Sequence, residues 1–141
     1  ILRLIDLGVE SFLLTATLEA IVAQRLIRKI CEKCKEEFVP TEEQLMELSL
    51  LPADVEGRTF FRGRGCGNCM KTGYKGRMAI FEIMTLDDTL REMIMSQAST
   101  AVLRDESRRR GMRTLRESGL LAIYEGQSTI EEVVRETIAE D

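Results

Sequence analysis

The sequence predicts an α+β fold, and three observations carry that expectation. Two segments rich in β-branched and apolar residues, Ile21–Ile30 and Met78–Met84, read as strands. The last third of the chain repeats apolar residues at helical three-four spacing. Between the strands stand two Cys-x-x-Cys pairs, Cys31-Glu32-Lys33-Cys34 and Cys66-Gly67-Asn68-Cys69, which account for all four cysteines.

At the start of the chain, Ile1, Leu4 and Ile5 share a helical face that no capping residue opens. The pattern is read as an element already under way. Val9 to Leu18 follows as a short amphipathic helix with Val9, Phe12, Leu13 and Ala16 on its apolar side. Ile21–Ile30 also tolerates a helical reading by composition, but its β-branched residues favour a strand running straight into the first cysteine pair.

After that pair, Thr41 and Gln44 have capping-box spacing, with Glu42 and Glu43 in the first turn, so a helix is expected from about Glu42 to Leu50, ahead of Pro52. Ala53 to Gly65 is read as a polar, glycine-rich loop in which Phe60 and Phe61 anchor by core packing. Gly73 to Arg77 is read as a turn. Met78–Met84 is apolar on both faces apart from Glu82 and is expected to be covered on both sides and to pair with Ile21–Ile30. That pairing brings the cysteine pairs to one end of a hairpin-like core.

The remainder is expected to be helical. Thr85 caps a helix through Met95 whose stripe is Leu86, Leu90, Met93 and Ile94. Ser99 or Thr100 opens another that runs to Arg110 and stops at Gly111, with Arg108, Arg109 and Arg110 at the negative end of its dipole. A third spans Arg116 to Tyr124. Ser128-Thr129-Ile130-Glu131 is a capping box for a last helix facing inward through Ile130, Val133, Val134 and Ile138.

The cysteines carry the chemistry. Two thiolates at this spacing reach one ion from a single tight turn, and two such turns complete the four-sulfur tetrahedron favoured by structural zinc. The candidate metal residues are Cys31, Cys34, Cys66 and Cys69. Gly67 and Asn68 suit a tight metal loop, and Lys29, Lys33, Lys35, Arg64 and Lys71 are close enough in sequence to screen the negative cluster. The chain contains no histidine, so an open catalytic zinc site of the His-bearing kind is not expected. Redox disulfides and incidental buried thiols are the alternatives. A redox dithiol usually opens a helix in a βαβ setting, which the Pro and Gly punctuation here does not resemble.

Other classes are constrained by composition. At 141 residues the chain fits one domain or two small subdomains, and 44% hydrophobic with 31% charged residues is a globular composition. A net charge of -4 and 5% aromatics give a phosphate backbone little to hold, so no nucleic-acid partner is expected. No apolar run spans a bilayer and no leader is read, so the expected compartment is the cytoplasm, where reduced thiols bind metal. Residues 65–72, Gly-Cys-Gly-Asn-Cys-Met-Lys-Thr, approach the phosphate-loop pattern, but Met70 stands where its second glycine must be, and nucleotide binding there is not expected.

These segments together resemble the C-terminal part of the secretion and pilus "traffic" ATPases, the type II secretion and type IV pilus assembly family. The resemblance lies in Leu4-Ile5-Asp6-Leu7-Gly8-Val9-Glu10-Ser11-Phe12, Ala23-Gln24-Arg25-Leu26, the four cysteines and Gly73-Tyr74-Lys75-Gly76-Arg77. It continues in Gly111-Met112-Arg113-Thr114-Leu115 and Thr129-Ile130-Glu131-Glu132-Val133. It implies a fragment of a RecA-like ATPase C-terminal domain, with residues 1–30 as the edge of the ATPase core, 31–72 as a zinc-binding lobe, 73–84 as a returning core strand and 85–141 as a helical subdomain. It implies a parent that is a homo-hexamer on the cytoplasmic side of the inner membrane, with an inner-membrane platform protein among its partners, using ATP and Mg2+ to assemble pilus or pseudopilus subunits. The phosphate loop, acidic boxes and histidine box of that family are not in this chain, so it is not expected to hydrolyse ATP by itself. Arg25 and Arg77 are placed either near a subunit or nucleotide interface or on a solvated strand edge. A zinc-ribbon nucleic-acid module and a freestanding protein-interaction module are the other function classes.

Overall fold

A computed structural model describes residues 2–137, so Ile1 and the expected inward-facing Ile138 lie outside the described residues. The elements are helices α1 (Leu2–Asp6) and α2 (Ser11–Thr17), strands β1 (Ala20–Ile30) and β2 (Lys35–Phe38), helix α3 (Glu42–Glu47), and strands β3 (Phe60–Gly63) and β4 (Tyr74–Thr85). Helices α4 (Asp88–Met95), α5 (Thr100–Arg109), α6 (Leu115–Tyr124) and α7 (Ile130–Thr137) complete the chain. The fold is α+β, with two two-stranded sheets, β1–β4 and β2–β3. Two compact units result: Ile1–Ala23 with Glu82–Thr114, and Gln24–Phe81 with Leu115–Asp141. The chain passes from the first to the second inside β1 and back inside β4.

In the first unit, Leu86, Leu90 and Ile94 from the α4 region and Leu103 of α5 form the core, with Leu18, Met84, Met93 and Ala98 packed on it. Each of the four buried side chains contributes about 1.5–3 kcal/mol by leaving water. Arg91 fixes α2 and its exit, donating from Nη1 to the Thr15 and Leu18 carbonyls at 2.7 and 3.0 Å. The buried residue of α2 is Leu14, whereas Phe12 and Leu13 are exposed, contrary to the face expected from spacing. A seven-residue helix offers only two turns, so which face is buried is set by its neighbours and not by its own period. The helix after β4 is capped by Asp87, not Thr85: Asp87 Oδ1 accepts from the Leu90 N–H at 2.9 Å. Its other oxygen pairs with Arg110.

Strand β4 departs most from expectation. It begins at Tyr74, so the supposed turn is already strand, with Gly76 supplying a φ of +85°. Phe81 and Ile83 are 43% and 51% exposed, while Glu82 is buried. Arg104 of α5 stands 3.9 Å from the Glu82 carboxylate and counters its charge. A buried acid is tolerated when a cation reaches it.

The second unit holds the β1 C-terminal half, the cysteine turns, the β2–β3 ladder and the α6–α7 pair. Thr41 caps α3 with both halves of the expected box: its Oγ1 accepts from Gln44 N–H at 3.2 Å and Gln44 Oε1 accepts from Thr41 N–H at 2.9 Å. The helix stops at Glu47, because Ser49 takes φ +60°. The stretch read as a polar loop contains a 3-10 turn, Pro52–Val55, and strand β3. β3 pairs antiparallel with β2, placing Lys35 opposite Gly63 and Phe38 opposite Phe60. Phe60 is buried edge-on against Tyr124 of α6, with ring centroids 6.1 Å apart. This confirms the packing role of Phe60.

The last helix is capped by Thr129, whose Oγ1 accepts from the Glu132 N–H at 3.1 Å, while the Ser128 hydroxyl donates to the Arg28 carbonyl. Helices α6 and α7 meet at Gly119, where an added Cβ would stand 2.5 Å from Val133 Cγ1. Gly119→Ala is therefore expected to cost about 1–3 kcal/mol by overpacking. Thermal denaturation checks this: an unchanged Tm would mean that the helices separate freely.

Candidate metal centre

The four cysteines come from two turns that follow and precede long strands. Cys31 is the residue immediately after β1, and Cys34 ends the tight turn before β2. Cys66 precedes the 3-10 turn Gly67–Cys69, which lies just ahead of β4. Because β1 and β4 pair, the turns converge. Gly73 ties them: its carbonyl accepts the Cys31 N–H at 2.9 Å and its own N–H donates to Cys69 Sγ at 3.2 Å. Gly73 has φ +84°, and a Cβ on Gly63 would lie 2.0 Å from the Gly73 oxygen, so the backbones touch where only two glycines allow it.

All four sulfurs lie within 4.8 Å of one another. Cys31–Cys66 and Cys34–Cys69 are 3.8 Å apart and Cys66–Cys69 is 3.7 Å. Four sulfurs each about 2.3 Å from a common centre, at tetrahedral angles, stand about 3.8 Å apart. A disulfide needs sulfurs about 2.05 Å apart, and the four thiols are free. The spacing is that of a metal-binding tetrahedron and fits neither disulfide pairing nor scattered thiols.

The backbone supports negative sulfur. Gly65 N–H donates to Cys34 Sγ and Cys66 N–H to Cys69 Sγ, both at 3.3 Å. Burial opposes ionisation of Cys69, but the Cys66 and Gly73 amides and the adjacent sulfurs overcome it, bringing this thiol down to about 6. Burial likewise opposes ionisation of Cys31, and the Lys33 amide and Asn68 side chain outweigh it. At Cys34 burial prevails over the Gly65 amide and the thiol rises to about 11. The cluster thus favours the thiolate at Cys31 and Cys69, and a bound metal would displace the proton that burial keeps on Cys34.

Sequence reasoning missed a second layer here. Asn68 Nδ2 lies 3.7 Å from Cys31 Sγ, and Lys75 Nζ donates to the Asn68 carbonyl at 3.1 Å and to its Oδ1 at 3.3 Å. Lys75 thereby turns the amide NH2 toward sulfur and puts a positive charge beside the cluster. It was absent from the screening cations expected from sequence proximity, of which Lys35 instead lies 4.7 Å over the Phe61 ring. Three amides of the near-miss phosphate loop are spent within the turn: Cys66 N–H on sulfur, Lys71 N–H on the Cys66 carbonyl and Met70 N–H on the Gly67 carbonyl. Arg25 and Arg77 are exposed, and neither hydrogen-bonds a cysteine.

A second polar centre, also unforeseen, links β1 to α7. Glu132, 2% exposed, accepts from the Arg28 backbone N–H at 2.7 Å and from Arg28 Nε and Nη2 at 3.1–3.2 Å, and Arg135 also reaches it. Arg28 stacks 4.0 Å over Tyr74, whose hydroxyl meets Thr129 Oγ1 at 2.7 Å. Burial pushes the Glu132 carboxyl up, but Arg28 outweighs it and holds it below the usual carboxylate range.

An α+β chain whose sheet brings four cysteines into a metal-binding tetrahedron defines the class of protein. The Type II/IV secretion system protein family matches residues 1–135, and the chain belongs to that family. It is 44% identical over 138 residues to the type IV pilus assembly ATPase PilB of Thermus thermophilus, covering 98% of this chain and 16% of that protein. Over 136 residues it is 43% identical to the PilB of Myxococcus xanthus, covering 96% of this chain and 24% of the relative. Against the type II secretion system protein E of Pseudomonas aeruginosa the identity is 38% over 137 residues, with 97% and 27% covered. The chain therefore spans about a quarter or less of the length of these relatives. No helix among the described residues is long and apolar enough to cross a membrane.

Proposed function

We infer that this chain is the zinc-binding C-terminal portion of a hexameric secretion or pilus-assembly ATPase. Its four cysteines hold Zn2+ as a purely structural ion, and the lobe of residues 31–72 moves as a rigid piece when the parent ring turns over ATP. The observation that carries the reading is the four-sulfur cluster in a chain of this family, with three of its edges at 3.7–3.8 Å and all sulfurs within 4.8 Å of one another. Zinc bound there has all four positions filled by protein, so it cross-links two distant turns and leaves no place for a reacting water. In the parent, the core is RecA-like, the assembly sits at the cytoplasmic face of the inner membrane and an inner-membrane platform protein receives the motion. The chain's part is mechanical: Gly73 couples the metal turns to β4, and the Arg28–Glu132 pair couples β1 to α7. ATP and Mg2+ belong to the parent's other segments.

Metal analysis of the chain purified without added metal tests this, together with an assay for phosphate release from ATP–Mg2+. One zinc per chain and no ATP turnover are expected. Zinc well below one per chain with four titratable thiols, or turnover by this chain alone, overturns the reading.

A further inference from the structure

Within the second unit a groove of about 650 Å³ opens between the β2–β3 ladder and α3. Buried Leu45, Val55 and Phe60 form its floor, and Phe38, Pro40 and Pro52 line its walls. Val39 at its edge is 91% exposed, and Leu51, adjoining Pro52, is 65% exposed. These two side chains extend the apolar lining of the recess into solvent.

The charge around it is predominantly acidic. Glu37 and Glu42 line the groove and Glu43 follows on the same helix. All three are exposed, and among the described residues none forms an ion pair. The lining cation, Arg58, lies 4.3 Å over the Tyr124 ring, and nearby Arg62 is paired with Glu36 at 3.1 Å. The apolar floor, and a rim on which the three carboxylates outnumber the lining Arg58, together favour a basic ligand over anionic surfaces, nucleic acid and acidic lipid alike.

We propose that this groove docks a basic amphipathic segment of a partner protein, which inserts apolar side chains over Leu45, Val55 and Phe60 and sets Lys or Arg against Glu37 and Glu42. Helix-in-groove recognition places two or three anchors in a recess of this size. The proposal deepens the functional reading, since it names the surface through which the cysteine-held lobe engages a partner, and it rests on that lobe being folded.

The test uses the zinc-loaded chain and two synthetic fourteen-residue amphipathic peptides, one of Leu and Lys, the other with every Lys replaced by Glu. Amide NMR titration is expected to show saturable binding of the Leu/Lys peptide, with shifts confined to residues 37–45 and 52–60. Val39→Asp, or Glu37→Lys with Glu42→Lys, should weaken it about tenfold. The charge-reversed pair should in turn prefer the Leu/Glu peptide. These positions are exposed, and zinc content measured on each variant separates failure of the groove from failure of the lobe. Equal affinity for both peptides, shifts elsewhere, or indifference to the charge reversal overturns the proposal. Concentration-dependent dimerisation in sedimentation velocity, abolished by Val39→Asp, would make a second copy the occupant and overturn it equally.

Discussion

A chain carrying Cys66→Ser is expected to retain little zinc and to lose amide protection throughout residues 31–77. The sulfur network explains why one oxygen suffices. Cys66 Sγ is 3.8 Å from Cys31 and 3.7 Å from Cys69, so removing it opens one face of the tetrahedron and leaves three sulfurs around a cation that favours four. Metal binding at such sites is folding free energy, because the site does not exist in the unfolded chain. Apart from the cluster, the two turns are joined through Gly73, the Arg64 N–H bond to the Cys34 carbonyl and the four-residue β2–β3 ladder whose Lys35–Gly63 end abuts them. The expected readout is near-zero zinc by elemental analysis and hydrogen exchange in 31–77 approaching that of unfolded peptide. Protection in α4 and α5 should persist, because their core of Leu86, Leu90, Ile94 and Leu103 contains no cysteine. Unchanged exchange around residues 31–77 would end the structural reading of the cluster.

Arg28→Met should lower stability by about 2 kcal/mol at pH 7, less than for a fully buried ion pair because the Arg28 side chain is 40% exposed and Arg135 and the residue-28 backbone N–H still reach Glu132. The cost arises because the carboxylate stays buried and charged after its main partner is gone. Its pH dependence follows from the sign of the shift. Arg28 depresses the Glu132 carboxyl, so the contribution of the pair is present in full above the ordinary carboxylate range near 4.3 and is lost as pH falls through the lower folded value. Without Arg28 the folded carboxyl titrates at higher pH than in the parent chain. The penalty is therefore largest at neutral pH and shrinks on acidification. Denaturant melts at pH 7 and pH 4 measure it, with Arg62→Met as control: that pair with Glu36 is exposed, so its loss should cost under about 1 kcal/mol. Equal penalties for the two arginines, or a penalty growing toward acid, would contradict the account.

Much of the fold was legible because local chemistry decided it. Thr41 and Gln44 marked α3, Ser99 marked α5 by accepting from the Val102 N–H, and the β-branched run before Cys31 became β1. The four cysteines were legible for the same reason, since metal-ligand spacing is a property of a tight turn. The misses share a different cause. β2 and β3 carry too few residues for a period, and only their pairing across the loop makes them strands. The burial of Glu82 and Glu132 was not legible because nothing nearby in sequence announces Arg104 or Arg28. Lys75 was passed over for cations closer in sequence to the cysteines, yet it is the one that orients Asn68.

By itself the sequence determined the α+β composition, the starts of α3 and α5 and the identity of the four sulfur donors, all of which depend on groups a few residues apart. Only the tertiary structure decided that the sulfurs form one tetrahedron, that Gly63 and Gly73 touch, and that two carboxylates are buried against arginines. Those facts depend on long-range pairing of β1 with β4 and on partners well outside the local window, 104 residues away for Arg28 and Glu132. No local propensity encodes which distant group arrives to satisfy a buried charge.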